Sequence, residues 1–387
     1  MSTLKVSKIE PVSSGGDCIV NATNIGGHKN ILLNGAMKVA QRQTTLTGEG
    51  YVCDRWKTMF SGHDEEPTTT QHDLTSSDTG PWEKGFRKSL HIQNGNQTSG
   101  AGSADYLLTR YVIEAQDLAN SGWDYTSSSS YITLQFWVRS SVAQNFHGYL
   151  RSRDGTALNY HFETGSLSAN TWTRVIKKIP GNSNLTINDD NGQGMFIVLH
   201  AFRGTDTTEA NKTLDAWSTW SDSSRTANQT STWWTTNDAT LEFTGVQLEV
   251  GDIATAFEHR TIGDEESRCQ RYFVMIARGS ESAAGNGGSG LAPICTAHQH
   301  TSSEAYGIVR FPIRMRAAPS MWKVEANGYW QVCFNQTSDS CNTCTINRVS
   351  TYAATIQMTG SLSVTEDHSC WFATFESAAK LGFEAEL

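Results

Sequence analysis

The stretch GVQLEVGDIATAFEHR, residues 245–260, contains a strand and a sharply specified exit from it. Apolar and polar residues alternate before and within this stretch, which predicts a strand with one buried face. The alternating apolar residues are Leu241, Phe243, Val246, Leu248 and Val250. Their phase slips by one residue at Thr244–Gly245, and a β-bulge there would keep both halves facing the same core. We expect the strand to end at Gly251 and Phe257 to plug its exit.

Strand patterns also occur upstream of this stretch. YITLQFWVRSS at 131–141 alternates apolar and polar residues, whereas GMFIVLHAF at 194–202 is apolar in both phases. The second pattern predicts a central strand that is covered on both faces. Long connections rich in Ser, Thr and Asn separate these segments, especially at 205–236. The arrangement favours an all-β sandwich with elaborated loops over a helical or α/β fold.

The composition agrees with this fold class and excludes several functions. Only 18% of the 387 residues are charged, and the 12 Trp and 15 Phe are typical of extended β-structure. The formal net charge is −9 and the sequence shows no basic cluster, so we expect no nucleic-acid partner. No apolar run approaches the ~20 residues that span a bilayer, so we expect no membrane insertion. The N-terminus lacks an apolar signal-peptide region, which predicts synthesis and folding in a cytoplasm.

Three units are expected along the chain. Residues 1–28 hold only short apolar pieces and could not form a core alone, so they are predicted to anchor the protein to a partner. The β-sandwich is assigned to residues 29–263. A smaller, distal β-domain is assigned to residues 264–387.

The distal unit shows one strand pattern and two loop patterns. Apolar residues alternate over 309–315, and Pro312 within this run predicts an edge strand or a position that faces away from the ladder. The Gly-rich segment Gly279–Gly290 and the polar segment Asn335–Cys344 are predicted to be adaptable loops. Because adaptable loops on a rigid scaffold often carry binding specificity, we expect these two loops to set the choice of binding partner.

Seven stretches, in this order along the chain, resemble the tail-fibre and receptor-binding proteins of tailed bacteriophages, particularly marine and cyanobacterial phages. They are MSTLKVSKI, NILLNGAMKVAQR, DRW, GVQLEVGDIATAFEHR, EESRCQRYF, FPIRMRAAPS and the terminal FEAEL. The resemblance implies a jelly roll like that of carbohydrate-binding modules, a homotrimer, and a location in the virion. It also implies attachment through the N-terminus to tail-adaptor or portal-proximal virion proteins, and binding of a glycan on the host surface.

Two other functions stay open beside this one: a purely structural head fibre, decoration or neck protein, and a polysaccharide-cleaving tailspike. Cleavage would need two carboxylates in fixed opposition. The candidates are Asp64, Glu65 and Glu66 in HDEEP and Asp189 and Asp190 in NDDNG. Their polar, turn-like surroundings favour solvated side chains. The sequence also contains neither GxSxG nor HExxH, so we do not expect an enzyme.

Four Trp residues are the candidates for glycan binding, because sugars stack on exposed aromatic faces. They are Trp217, Trp220, Trp233 and Trp234, in the region rich in Ser and Thr. In a strand, the adjacent Trp233 and Trp234 would point to opposite faces, so at most one of them should be buried. The alternative is that the four rings brace long loops or subunit contacts.

Two motifs could bind a metal ion. HQH places His298 and His300 on one face of a predicted strand, where three copies around a trimer axis could surround an ion. Surface or interface histidines are the alternative. CNTC, Cys341–Cys344, has the spacing of a zinc knuckle without a second knuckle, which favours reduced, partly buried thiols or one adventitious disulfide over a structural metal. We therefore predict no cofactor beyond an adventitious or structural metal ion.

Overall fold

The structure is a computed structural model that describes residues 29–281, 292–334, 337–363 and 368–387. The predicted anchoring segment at 1–28 and most of the Gly-rich loop lie outside the described residues. Across the described ranges the chain consists mainly of antiparallel strands with a few short helices, which confirms the all-β prediction. None of the described helices is both long enough and apolar enough to cross a bilayer.

The first part of the chain forms strands β1 to β15 and the short helices α1 and α2. Their bounds are β1 Thr45–Thr47, β2 Gly50–Tyr51, β3 Trp56–Ser61, β4 Thr68–Asp73, β5 Lys88–Gln93, β6 Tyr106–Glu114, α1 Ala115–Ala119, β7 Tyr131–Ser140, β8 Asn145–Ser152, β9 Leu158–Ser166, β10 Thr173–Pro180, β11 Gln193–Arg203, β12 Thr208–Glu209, β13 Trp217–Thr219, β14 Thr226–Ala227, α2 Thr232–Thr235 and β15 Thr240–Val250. Single 3-10 turns lie at Trp82–Lys84 and Thr205–Thr207.

These strands form two stacked sheets. One sheet has six strands in the order β1-β4-β5-β15-β7-β10, and the other has seven in the order β13-β9-β8-β11-β6-β3-β2. The short β12 and β14 pair separately. Successive long strands pass repeatedly from one sheet to the other, since β7, β10 and β15 lie in the first sheet and β6, β8 and β11 in the second. This is the jelly-roll sandwich.

The sandwich core lies between the inner faces of the two sheets. Its largest buried side chains include Trp56, Phe136, Phe162 and Phe243, contributed by both sheets. Strand β11 lies between β8 and β6, and its residues are buried in both phases of the alternation. The prediction of a central strand covered on both faces is therefore confirmed, and the seven-stranded sheet has a covered outer face as well as a core face.

The predicted bulge in the closing strand is present. The pairing of β15 with β7 shifts register between Thr244 and Gln247, and Gly245 has a φ of 65°. A side chain at Gly245 would also collide with Phe86, whose Cζ lies 2.6 Å from the position a Cβ would take. The strand ends at Val250, and Phe257 packs on Phe86 with ring centroids 4.8 Å apart. The phase slip in the sequence therefore corresponds to a real bulge and a plugged exit.

The second part of the chain begins with helix α3 and continues as strands β16 to β24. Their bounds are α3 Ile262–Cys269, β16 Phe273–Arg278, β17 Pro293–Thr301, β18 Glu304–Arg310, β19 Ser320–Val324, β20 Trp330–Phe334, β21 Thr337–Val349, β22 Ala353–Gly360, β23 Ser369–Thr374 and β24 Lys380–Glu384, with a 3-10 turn at Gly279–Glu281. Six strands close a barrel in the order β17-β18-β22-β21-β20-β23, and β16-β24-β19 form a small sheet beside it. A separate hydrophobic cluster, including Trp330, Phe372 and Phe383, fills this part.

Two predictions for the distal part were wrong. The strand expected to run through Pro312 ends at Arg310, because proline has no N–H to donate to a ladder. The segment Asn335–Cys344, expected to be a loop, enters strand β21, which pairs with β20 and β22. The pairing of β21 with β22 shifts register between Cys341 and Thr343, so Cys341 and Cys344 are both buried although they are three residues apart. The sequence of this strand therefore lacks a regular alternation of buried and exposed residues.

Six of the seven quoted stretches meet where the sandwich contacts the second part of the chain, and the seventh, MSTLKVSKI, lies outside the described residues. We call this contact the junction. Its charged and tyrosine residues are Arg42, Asp54, Arg55, Glu114, Arg271, Tyr272, Glu384 and Glu386. Nearby, Arg260 donates to the carbonyl oxygens of Asn30, at 2.6 Å, and Leu32, at 3.2 Å. Arg316 donates to the carbonyl oxygen of Ala385 at 2.7 Å.

The buried arginines of the junction are paired. Arg42 lies 2.8 Å from a carboxylate oxygen of Glu384 and 3.4 Å from one of Glu386. Arg55 pairs with Glu386, and its guanidinium lies 3.4 Å from the centroid of the Tyr272 ring. Arg55 also has a φ of 74°, a conformation that costs a residue other than Gly about 1–3 kcal/mol. Its side-chain contacts therefore hold a strained backbone in place.

Candidate functional site

The outer face of the seven-stranded sheet carries an unusual set of side chains for a sheet surface. Cross-strand pairing arranges them in three rows across the sheet. The arginine row is Asn159, Arg151, Phe196 and Val112; the tyrosine row is His161, Tyr149, Val198, Arg110 and Lys57; and the histidine row is Glu163, His147, His200, Leu108 and Met59. Because strand residues alternate between faces, all of these point away from the sandwich core.

The connection between β11 and α2 covers part of this face and makes it concave. Trp220 packs edge-on against Tyr149 with ring centroids 5.4 Å apart. Its indole N–H donates to Asp222 at 3.2 Å, and Arg225 donates to the same Asp222 oxygen at 2.9 Å. The result is a groove of about 130 Å³. We call this depression the groove. The residues that line it are Met59, Tyr106, Leu108, Arg110, Tyr149, Arg151, Phe196, Val198, Arg203, Trp220 and Arg225.

Arginine side chains lie over aromatic rings throughout the groove. The guanidinium carbon of Arg151 is 3.7 Å from the centroid of Trp220, and that of Arg110 is 4.9 Å from the centroid of Phe196. Arg203 lies 5.0 Å from the centroid of Tyr106. Such stacking fixes the plane of a guanidinium while leaving its N–H groups free to bind a ligand.

Several polar atoms on this outer face are buried without a hydrogen-bond partner in the described part of the chain, and those of the four arginines belong to residues that line the groove. They are the Nε atoms of Arg110, Arg151, Arg203 and Arg225, Nδ1 of His147, Oδ1 of Asn159, and both ring nitrogens of His161 and His200. Buried polar groups in folded proteins are nearly always satisfied. A cluster of unsatisfied ones on one face indicates a site that a polar ligand or ordered water completes.

The imidazoles in this cluster are neutral near pH 7. Burial lowers the pKa of His161 to about 3, with further lowering by Lys212 and His147. Burial also lowers the pKa of His200 well below its ordinary value, and Arg203 adds to that effect. Each neutral ring offers one donor and one acceptor, which matches the hydroxyl groups of a polar ligand.

Of the predicted aromatic candidates, Trp220 lies in the groove, whereas Trp217 packs against the sandwich core. Trp217 is half-buried, its indole N–H donates to the carbonyl oxygen of Pro180 at 2.7 Å, and it packs on Tyr160. These contacts are those of a brace for the loop. Trp220 therefore remains the one predicted aromatic residue in a position to meet a ligand in the groove.

Trp233 and Trp234 are both in the core, so the prediction that at most one is buried was wrong. They lie in helix α2, not in a strand, and both have 0% exposure. Their indole N–H groups donate to the carbonyl oxygens of Thr240, at 3.0 Å, and Gly100, at 2.8 Å. Neither ring has a free face on which a sugar could stack.

The predicted metal motif lies elsewhere, on the barrel. His298 and His300 project from the same exposed face of β17, and both rings lie near Tyr306, at 6.2 and 5.6 Å between centroids. The described ranges contain no group of three or more His, Cys, Asp or Glu placed to hold a metal ion. Burial raises the pKa of the Cys341 and Cys344 thiols to about 12, so both are protonated near neutral pH. A metal ion at the His pair, shared between chains, stays a prediction.

The carboxylates considered for cleavage mostly hold loops together. Asp64 accepts hydrogen bonds from the backbone N–H of Ser99, at 2.6 Å, and from its hydroxyl, at 2.8 Å, and these bonds lower the Asp64 pKa. Glu65 accepts from the backbone N–H of Asn96 at 2.7 Å. Asp189 accepts from Asn120 at 2.8 Å.

The arginines of the groove were missed at the sequence level. They come from β6, β8, β11 and the loop before β14, so only the fold brings them together. One local signal was available: Tyr149, Arg151 and Arg153 follow one another at a spacing of two and therefore share one face of a strand. The expectation that no basic cluster exists in this acidic chain needs correction, because the groove is one.

A larger depression of about 720 Å³ lies beside Lys29 and is lined by residues that include Asp117, Glu249, Arg260 and Arg268. None of the described residues lining it is aromatic. A third depression, of about 320 Å³, lies under Phe257, where Arg174 already binds Gln135 and His259 binds the carbonyl oxygen of Lys84. The groove is the depression that combines aromatic rings with unsatisfied polar groups.

No protein-family model and no curated protein sequence matches this chain. Among solved structures, it is similar to the enzymatically active domain of tailspike protein 4 of bacteriophage CBA120, at 9% identity and a TM-score of 0.30 over 58% of this chain and 22% of that one. It is also similar to a putative sugar-binding protein from Bacteroides thetaiotaomicron, at 12% identity and a TM-score of 0.30, covering 57% of this chain and 100% of that one.

A third similar structure is the N-terminal cellulose-binding domain of β-1,4-glucanase C from Cellulomonas fimi, at 9% identity and a TM-score of 0.27, covering 56% of this chain and 99% of that one. The chain thus matches about a fifth of the tailspike structure and nearly all of the other two. At these identities and TM-scores the similarity carries no functional argument, so the function has to be inferred from the groove itself.

Proposed function

We propose that this protein binds a saccharide in the groove of its seven-stranded sheet. The observation that carries the proposal is the concave cluster of aromatic rings beside unsatisfied polar atoms. Trp220 and Tyr106 are half-buried and offer apolar ring surface to a sugar. The Nε atoms of Arg110 and Arg151, which have no partner in the described part of the chain, supply donors for its hydroxyl groups.

The wider proposal is that the saccharide belongs to a host cell surface and that the protein is a trimeric tail fibre of a tailed bacteriophage. The seven quoted stretches support this assignment by resemblance. In it, residues 1–28 attach the fibre to the virion. Light scattering of the purified chain tests the trimer, and a stable monomer at micromolar concentration would contradict it. Deletion of residues 1–28 should leave a folded protein that no longer joins virus particles.

We propose binding without cleavage. Cleavage by the usual route needs two carboxyl groups on opposite sides of the scissile bond. Glu163 lies at the edge of the histidine row, and Asp222 is engaged by Trp220 and Arg225. Incubation with host polysaccharide, followed by analysis of released fragments, tests this part, and any oligosaccharide product would contradict it.

The saccharide site is tested with a glycan array and a matched pair of Trp variants. Trp220→Ala should abolish binding of whichever glycan the full chain retains. Trp82→Ala is the control, because Trp82 is also half-buried and stacked with an arginine, Arg87 at 3.7 Å, but lies outside the groove. Absence of any bound glycan, or equal effects of the two variants, would reject the groove as the site.

A further inference from the structure

The charges of the groove go beyond what binding a neutral sugar requires. Five arginines face it or flank it, namely Arg110, Arg151, Arg153, Arg203 and Arg225. Lys57 adds a further positive charge directly across from Arg110 in the sheet register. The carboxylates of Glu163 and Asp222 stand nearby. This face is therefore locally positive, although the formal net charge of the whole chain is −9.

Most of these guanidinium groups lack an anionic partner. Among the described residues, no carboxylate oxygen lies within 4.0 Å of a nitrogen of Arg110, Arg151 or Arg203. Arg203 donates to the Thr207 hydroxyl at 2.7 Å, and Arg225 pairs with the exposed Asp222 at 2.9 Å. Burial lowers the pKa of Arg151, and the neighbouring Arg153 and Arg225 lower it further, whereas Tyr149 and Asp222 act in the opposite direction.

Unpaired charges packed this closely destabilise a protein unless a ligand compensates them. Like charges directly opposite each other in a sheet are unfavourable, as for Lys57 and Arg110. A guanidinium held flat against a ring presents a fork of N–H donors that matches a carboxylate, sulfate or phosphate in two-point geometry. Arg151 on Trp220 is such a fork, with 3.7 Å between the guanidinium carbon and the ring centroid.

The size of the site limits what it can hold. Ligand sites for drug-sized molecules are about 300–1,000 Å³, whereas the groove measures about 130 Å³. It fits one charged sugar residue or the end of a chain better than an extended polymer.

Building on the proposed saccharide function, we propose that the groove selects an anionic sugar, one that carries a carboxylate, sulfate or phosphate group. The acidic group lies between the guanidinium groups of Arg110 and Arg151, and the ring of the sugar lies against Trp220. A neutral sugar of the same shape leaves the arginines unpaired and binds more weakly.

The test compares trisaccharides of equal length by calorimetry with the full chain: galactotriose, its uronic acid counterpart trigalacturonate, and O-sulfated galactotriose. We expect at least one acidic trisaccharide to bind about tenfold or more tightly than the neutral one, and the preference to shrink as salt rises. The acidic probe that binds identifies whether a carboxylate or a sulfate is preferred. Arg151→Gln should cost about tenfold in affinity for that probe and a clearly smaller factor for the neutral one, because Arg151 also holds Trp220 in place.

Two controls separate the possible failures. Arg87→Gln removes an equally close guanidinium–Trp stack outside the groove and should change nothing. Equal binding of neutral and acidic trisaccharides would overturn the anionic preference while leaving the saccharide function intact. Binding of no saccharide at all would overturn both. Inorganic tripolyphosphate bound as tightly as the acidic sugar would overturn selection of a sugar, since the groove would then be a general anion site.

Discussion

Two regions of this molecule concentrate arginine: the junction, where Arg42 and Arg55 are buried, and the groove, where Arg110 and Arg151 are half-buried. The regions differ in what surrounds the charge. At the junction, Arg42 and Arg55 have side chains 3% and 2% exposed and lie against Glu384 and Glu386. In the groove, Arg110 and Arg151 lie over aromatic rings with no carboxylate within bonding distance in the described ranges. A buried charge is tolerated when paired, so the junction is complete in itself and the groove is not.

The difference separates structural from functional charge without reference to sequence conservation. Removing a paired, buried arginine leaves its carboxylate partner without a compensating charge, so the protein loses stability. Removing an unpaired arginine leaves no carboxylate of the protein without a partner, so the protein should lose affinity for its ligand instead. Measurements of stability and of ligand affinity for variants in the two regions therefore test this comparison directly.

The largest effect is expected for Arg55→Met at the junction. Glu386, whose side chain is 6% exposed, would lose the closer of its two arginine partners and keep Arg42 at 3.4 Å, and the strained backbone at Arg55 would lose its support. Breaking a buried ion pair in this way costs about 3–5 kcal/mol. Denaturant unfolding should show this loss, and the double variant Arg55→Met with Glu386→Leu should recover part of it. A loss below about 1 kcal/mol would show that the junction charges are not energetically coupled.

An effect of similar size is expected for Trp234→Ala, with a much smaller one for Trp220→Ala. Trp234 is fully buried, and truncating such a side chain costs about 3–5 kcal/mol through lost burial and the cavity left behind. Trp220 is half-buried, and its removal should cost about 1 kcal/mol of stability through the lost contact with Arg151. Thermal unfolding of both variants measures the contrast, and equal losses would place Trp220 in the core.

The buried histidines on the outer face of the seven-stranded sheet should make the fold sensitive to acid. His161 and His200 have folded-state pKa values far below the ~6.5 of an unfolded chain. As pH falls through about 6.5, the unfolded state takes up protons first, so stability declines toward lower pH. The charged neighbours of these rings are Arg203, Lys212 and Arg225, which oppose protonation, and Glu163, which favours it at His147.

Between pH 6.5 and pH 5 the expected loss is up to about 2 kcal/mol for each of the two imidazoles, since one pKa unit corresponds to ~1.4 kcal/mol. Denaturant unfolding at both pH values measures it. The double variant His161→Gln with His200→Gln should flatten the dependence by that amount. An unchanged slope in the double variant would assign the acid sensitivity to other groups.

The features that local sequence determines were predictable. The bulge at Gly245 was visible because a one-residue phase slip coincided with the residue type that tolerates positive φ. Helix α2 was not visible, because four residues of sequence do not specify a helix and packing of Trp233 and Trp234 on the core decides the conformation. The burial of both Cys341 and Cys344 was not predictable for a related reason. A bulge that depends on the pairing with neighbouring strands interrupts the alternation of buried and exposed residues there.

The groove could be predicted only in fragments. Its three rows depend on the register of β3, β6, β8, β9 and β11, which pair across large sequence separations. A spacing of two places Tyr149 and Arg151 on one face, but nothing local places Arg110 beside them. Trp220 was identified as a candidate from its type and loop context, whereas its partner Arg151 was identifiable only after the strands were paired.

The smallest stability effect, and the most discriminating, is expected for Arg110→Met. Arg110 contributes a guanidinium 4.9 Å from the Phe196 centroid and stands directly across from Lys57. Losing the ring contact costs about 0.5–1 kcal/mol. Relief of the Lys57–Arg110 repulsion returns a similar amount of stability. Two like charges directly opposite each other on neighbouring strands destabilise a sheet by about this much.

Methionine fills much of the same volume against Phe196, so the net change for Arg110→Met should lie within about 0.5 kcal/mol of zero. The variant should therefore unfold at the wild-type denaturant midpoint while losing affinity for an acidic sugar. Lys57→Met is the matched control, because it relieves the same repulsion without removing a residue that lines the groove. If Arg110→Met destabilises the protein as strongly as Arg55→Met does, the guanidinium in the groove is structural, and the contrast between the two regions fails.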